Sequence, residues 1–380
     1  MRFDVRLGTP QVVGELFTVV PIVLPHVTER RSVTLGEALE RGVARVADTR
    51  SVERASIEVG DVLPVLVLEG EILVGGFQNR VVNVSVLLEP KETQWIPVSC
   101  VERGRYYPLD SSQGQGLASR DERNGRERVR VPGRILIPIL IPPLPGYASG
   151  RRSRGRRRGG QRVEIGGVSR QGERQRQQEG PVNISCFRLA PSLAPVGLRH
   201  TKVASVAVAL RWGDARADQQ AVWEGVEQYL LRGNAESPTR DITAVISKQL
   251  PAVEAWLESV QPLEGQVGVV VAIDSTIVGL EAVEHPETWR RVAKRILGSY
   301  ALEALSRQAQ KRSRGRKRAL TLEEFQAFLE RVSRAFSRAK VVRPPVGLGR
   351  YELPRGERLR GFALVHEEVL YHLVVFPSRR

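Results

Sequence analysis

The 380-residue chain holds two cysteines, one methionine and five histidines, and 6% of it is aromatic. Cys100 and Cys186 cannot make a disulfide framework; a single pair stays open. There is no Cys-x-x-Cys, and His26, His200, His285 and His366 lack metal-ligand spacing, so no zinc site is read from the sequence and no cofactor is identified. Long hydrophobic runs are missing as well. The most apolar stretch, 135–144, is broken by Pro138, Pro142 and Pro143 and is far too short to span a bilayer. No N-terminal segment has the charged, apolar and small-residue order of a signal peptide. These absences give the expectation of a cytoplasmic protein with no membrane partner. Arginine far outnumbers lysine, a thermophile-like trait.

What is present is positive charge, +16 net, and it is concentrated. Segment 149–182 has ten arginines against three glutamates, and 311–318 has six basic residues in eight. Both contain Arg-Ser-Arg-Gly-Arg, and outside them the chain carries only about +3. Segment 149–182 has almost no apolar residues to offset ordering entropy and reads as a disordered insertion. Such loops can bind nucleic-acid phosphates in a salt-dependent way, although they lack the interleaved aromatics of a single-strand platform. The alternative is a solvated insertion.

The chain as a whole carries 41% hydrophobic residues, enough for a sizeable core. Strands are expected at 11–20, 52–59, 63–68, 81–88 and 94–101, with a capping box at Thr34 opening a short helix. Segment 108–134 reads as a long loop. Beyond 183 the pattern changes: 201–212 fits a helix or a strand, and 218–231 is helical by its Val222, Val226, Tyr229 and Leu230 spacing. Ser237-Pro238 opens another helix to about 260. A hairpin turns at Asp274-Ser275, helices start at Pro286 and Thr321, and strands close the chain. Strands first, then helices mixed with hairpins, predict an α+β fold. The division is a β-rich part at 1–148 with antiparallel strands, the insertion at 149–182, and an α+β part at 183–380 interrupted by the basic loop at 311–318.

Chemistry concentrates at 65–107. Glu69 and Glu71 flank Gly70 at the end of an apolar strand. If the extended backbone persists they share a face, where they can serve as an acid–base pair or hold a hard cation; otherwise they are a solvated turn. Gly75-Gly76 permits positive φ or close approach of a ligand. Gln78, Asn79, Arg80 and Asn83 can recognise a phosphate or a nucleotide edge, or pin a turn by internal hydrogen bonds. Glu102 and Arg105 complete the polar set. No Gly-Lys-Ser/Thr follows the glycines, so this is not a P-loop. Cys100 reads as structural, because a nucleophile would need His372 or His200 as its base. His372 itself reads as a structural histidine in an apolar strand, and Asp218, Gln219 and Trp223 as capping and core.

The series Glu69-Gly70-Glu71, Gln78-Asn79-Arg80, Ile96-Pro97-Val98-Ser99-Cys100-Val101-Glu102 and Gly104-Arg105 resembles the ARG and rhodanese-phosphatase-superfamily-associated protein domain, a prokaryotic family named for its genomic neighbours. Ser237-Pro238-Thr239, 265–271, 299–305 and 370–376 extend the resemblance over most of the chain. The resemblance implies the handling of ADP-ribose or a related NAD-derived nucleotide. On that expectation Arg80 and Arg105 hold phosphate, Gln78, Asn79 and Asn83 orient polar groups, and Glu69, Glu71 and Glu102 are the catalytic candidates. The alternative is a non-enzymatic scaffold or nucleic-acid-associated protein acting through the arginine-rich loops.

Overall fold

Period-two hydrophobicity builds the largest layer. Along the strand Gln266–Ile273, Val269, Val271 and Ile273 enter one core, while Val270 and Ala272 enter another on the opposite face. This computed structural model describes residues 5–14, 17–49, 51–60, 62–105, 187–310 and 318–378. Among them are eighteen strands and six α-helices: α1 (Leu35–Glu40), α2 (Val196–Ala209), α3 (Gln219–Arg232), α4 (Ile242–Glu258), α5 (Pro286–Gln308) and α6 (Leu322–Ser337). The fold is α+β. The 108–134 loop, the 149–182 insertion, Cys186 and all of 311–318 except Arg318 lie outside the described residues.

The large sheet has nine antiparallel strands. Its path runs Arg6–Leu7, Phe17–Val23, Gln266–Ile273, Thr276–Val283, Val369–Pro377, Leu359–His366, Arg350–Leu353 and Lys340–Val342, with Gln11–Val13 also paired to Phe17–Val23. The central hairpin turns through Asp274 and Ser275 at φ 54° and 59°, the left-handed pair that matches strand twist. On one face α5 packs Trp289, Val292, Ile296, Tyr300 and Ala304, spaced by three or four residues. On the other, α6 packs Phe325, Phe328, Leu329, Val332 and Phe336.

A second sheet joins Val86–Leu88, Val65–Val67 and Val33–Thr34, and the last pair is parallel, unlike the antiparallel pairing of the others. A third runs Arg188–Leu189, Ile72–Val74, Arg80–Val82, Thr93–Cys100, Arg54–Val59 and Ala44–Asp48. The expected strand at 81–88 is therefore two, in different sheets. Between them Asn83 and Ser85 turn into buried polar partners: Ser99 Oγ donates to Asn83 Oδ1 at 2.9 Å, and Ser85 Oγ lies 2.7 Å from His372 Nδ1. Segment 201–212 resolves as helix, within α2 and its 3₁₀ continuation. Helix α4 starts at Ile242 instead of 238. Arg240 has φ 54°, and the capping side chain is Asp241, which accepts from Thr243 N–H.

Helix α2 carries two buried cations three residues apart, on one helix face. Arg199 donates from Nε to Glu69 at 2.9 Å and from both Nη groups to Glu281 at 2.8 and 2.9 Å. Lys202 donates to Glu69 and, at 2.9 Å each, to the carbonyls of Val82 and Asn83. All four charged side chains are fully buried. Removing one partner of such a network strands the others in low dielectric. Arg199→Leu is expected to lower unfolding stability by about 3–5 kcal/mol, read as a reduced urea midpoint at unchanged m-value.

Candidate functional site

The Glu-Gly-Glu turn is the first component. Gly70 adopts φ 85°, and a Cβ there would lie 2.5 Å from Arg199 Nε, so both backbone and packing require glycine. The turn ends the extended conformation, and the two carboxyls diverge. Glu69 goes to Arg199 and Lys202. Glu71 accepts from Arg295 Nη1 at 2.6 Å and from Leu68 N–H at 3.2 Å. Burial pushes the Glu71 carboxyl up, against the pull of Arg295.

The second component brings five sequence candidates together. Arg105 grips Glu102 with two hydrogen bonds of 2.8 and 2.6 Å, and also donates to the Gly76 carbonyl at 2.7 Å and Asn79 Oδ1 at 3.1 Å. Asn79 N–H donates to Glu102 at 3.0 Å, and Asn79 Nδ2 to Asp241 at 2.9 Å. Gln78 Nε2 donates to the Glu102 carbonyl, while its Oε1 accepts from Arg80 Nη1 at 2.9 Å and from the Cys100 thiol at 3.2 Å. Gly75 N–H donates to Asn79, and Gly76, at φ 56°, packs against Asp48 and Phe187 so closely that a Cβ would sit 2.5 Å from the Phe187 ring. These residues are nearly fully buried and hold one another. Arg80 differs: among the described residues it has no carboxylate partner, and its Nε has no hydrogen bond. Burial pushes the Cys100 thiol up to about 11, despite the nearby Arg80 charge. Cys100 is unpaired among the described residues.

Neither component opens directly to solvent, but a cleft of about 540 Å³ lies beside them. Its walls are α1, the strand Arg188–Leu189 and the first turns of α5. Phe187, which packs on Gly76, lines it, and so does Arg295, which covers Glu71. Arg188, Arg291 and Arg295 face it with Glu37 and Glu40. Glu37 is fixed by the Thr34 capping box and a two-pronged contact from Arg30. Burial raises its pKa, but the Arg30 and Thr34 hydrogen bonds outweigh this and hold it at about 2. Arg291 lies 3.4 Å from Glu37. Among the described residues Arg188 makes no polar side-chain contact, and Arg295 uses only Nη1, on Glu71. No group of three or more His, Cys, Asp or Glu among the described residues is placed to hold a metal.

Of the sequence candidates, Gln78, Asn79, Arg80, Glu102 and Arg105 converge, Glu69 and Asn83 belong to the α2 network, and Glu71 backs the cleft. Sequence reading missed Arg188, Arg291 and Arg295. On α5, Arg291 and Arg295 sit four residues apart, a helical spacing that places them on one face, but no local pattern separates them from solvated arginines. It also missed Asp241. Burial and the neighbouring Glu102 push the Asp241 carboxyl up, while hydrogen bonds from Thr243 and Asn79 oppose them.

The sequence model of the ARG and Rhodanese-Phosphatase-superfamily-associated Protein domain matches residues 4–129 and 171–376. None of the curated proteins and none of the solved structures matches the chain. Among the described residues no helix is long and apolar enough to cross a membrane.

Two outcomes are expected from this geometry. In a Cys186→Ser background, thiol reagents should label Cys100 no faster than the protein unfolds, and rapid labelling of the native state would contradict its burial. Glu37 has a folded pKa below its ordinary 4.5, so its contribution to stability is full above that value and lost as pH falls toward about 2. Glu281, buried but held at about 2 by Arg199 and His372, behaves alike. Urea unfolding of Glu37→Gln across pH 4.5 to 2 should therefore show a shallower acid loss than the parent.

Proposed function

The chain belongs to the ARG and Rhodanese-Phosphatase-superfamily-associated Protein family, and from that membership we propose that its cleft binds a phosphorylated, nucleotide-derived ligand of the ADP-ribose type. The observation that carries this is guanidinium N–H capacity left unused. Among the described residues Arg188 has no polar partner, and Arg295 offers N–H groups beyond the one on Glu71. Arginine presents donors in a fixed fork that suits phosphate oxygens. A cleft of about 540 Å³ lies within the usual size of ligand sites. Glu40, exposed on the rim, is a suitable acceptor for ribose hydroxyls.

The remaining candidates take supporting roles in this reading. The Glu102–Arg105–Asn79 cluster stiffens the Gly75-Gly76 turn on which Phe187 packs. Glu71 is the acid–base candidate of this reading: it lies directly behind Arg295, and burial pushes its carboxyl up. The arginine-rich segments 149–182 and 311–318 remain a separate proposal for nucleic-acid phosphates.

Thermal melting of the full chain against ADP-ribose, NAD and inorganic phosphate tests the reading. At a hundred times Kd a ligand stabilises the folded state by about 2.7 kcal/mol, enough to raise Tm measurably. Arg188→Glu, at an exposed position, should weaken that ligand tenfold or more without changing the unliganded Tm appreciably. No shift with any of the three, or a shift indifferent to Arg188→Glu, would remove the cleft as the site.

A further inference from the structure

One face of the third sheet is covered at one end and open at the other. Along Thr93–Cys100, Ile96 and Val98 turn into the core, so Trp95, Pro97 and Ser99 share the opposite face. The neighbouring strand Arg54–Val59 sets Ser56 opposite Trp95 and Arg54 opposite Pro97, and Ala47 follows beyond Ser56. Helix α3 covers the Ser99 end, where the Gln219 side chain exchanges two hydrogen bonds of 2.8 Å with the Cys100 backbone. At the other end Trp95 is 50% exposed, because Ser56 and Ala47 are too small to cover an indole.

A second indole is tied to the same face. Asn83 donates its N–H to the Pro97 carbonyl and its Nδ2 to the Ala215 carbonyl, the latter at 3.1 Å. Trp212, three residues before Ala215, ends the 3₁₀ continuation of α2 and is 85% exposed. Each indole has a guanidinium as its neighbour. Arg54 is diagonal to Trp95 across the strand pair, and Arg211 precedes Trp212. Both arginines are exposed, and among the described residues neither side chain has a polar partner. Arg216, by contrast, is taken by Asp214 and Glu53. The acid on this face, Glu58, stands opposite Thr93, on the far side of Trp95 from Arg54.

We propose that this face binds single-stranded nucleic acid, with Trp95 and Trp212 stacking on unpaired bases and Arg54 and Arg211 pairing with phosphates. Exposed rings interleaved with unpaired cations match a flexible polyanion that carries a free π-face on every unit. A duplex keeps those faces inside its own stack. Charge decides against a second copy of the chain as the occupant: each copy carries +16, so two repel, while a polyanion is drawn in. These are the aromatics that the arginine-rich segments lack. The site uses other residues than those segments or the cleft, and it depends on the reading given to neither.

Fluorescence anisotropy of the full chain tests this with a short oligothymidylate and an abasic oligomer of the same length. Both present the same phosphates, so binding through 149–182 or 311–318 favours neither. The parent should prefer the oligothymidylate by about tenfold or more for each indole that stacks. Trp95→Ala and Trp212→Ala should each lower the preference by that factor without moving the unliganded Tm, and the double variant should abolish it. Trp95→Phe keeps a stacking ring and should keep the preference. Arg54→Ala should weaken both oligomers and reduce the salt slope by about 0.7. Equal affinity of the parent for the two oligomers, binding of neither, or a preference that survives both alanine substitutions overturns the proposal. If the oligomers bind alike while Trp95→Ala abolishes self-association or adsorption to anionic vesicles, the face has another occupant and the proposal falls.

Discussion

Arg199 is the contact on which the arrangement depends. It joins Glu69, 130 residues before it, to Glu281, 82 residues after it, so the strand-rich first part and the large sheet meet at one guanidinium. Four buried charges, two of each sign, are tolerable in low dielectric only when the geometry satisfies every donor and lone pair. Here Lys202 adds two backbone carbonyls, and Gly70 gives up its side chain to let Arg199 pass. A near-miss topology would strand charges and gain nothing from collapse, so the network selects one way of docking α2.

The same contact decides what is left for chemistry. With Glu69 held from two sides, the turn at Gly70 sends Glu71 alone toward Arg295. Arg295 is then shared between a buried carboxyl and open solvent. Farther along, the two-pronged Glu102–Arg105 pair and Asn79 tie the Gly75-Gly76 turn to the start of α4 through Asp241. This fixes Phe187 and the short strand Arg188–Leu189 against Ile72–Val74. Two polar clusters whose members hydrogen-bond one another stand behind the cleft wall.

Local signals were legible wherever the cause was local. Thr34 and Thr321 announce their helices by capping boxes, Asp218 caps α3, and Asp274-Ser275 marks its hairpin. Within 65–105 the polar side chains gather into hydrogen-bonded clusters. What the sequence hid is long-range. Lys202 interrupts the apolar pattern of 201–212 and Arg199 lies just ahead of it, and only the folded chain shows the carboxylates they meet. The 81–88 run reads as one strand, since nothing local reveals that Asn83 and Ser85 must face buried partners from two other elements.

Conspicuous polar residues in a sequence and free polar atoms in a structure are different things. Glu69, Asn79, Glu102 and Arg105 attracted notice by their density, yet density is what lets side chains saturate one another. A group whose hydrogen bonds are filled from within stabilises a fold, and a ligand must displace those bonds before it can gain any. A group held in place with capacity left over needs no such displacement. Among the described residues Arg188 and Arg295 meet that condition at the cleft. The inconspicuous residues therefore carry the stronger physical case for recognition, and the conspicuous ones for keeping those groups where they are.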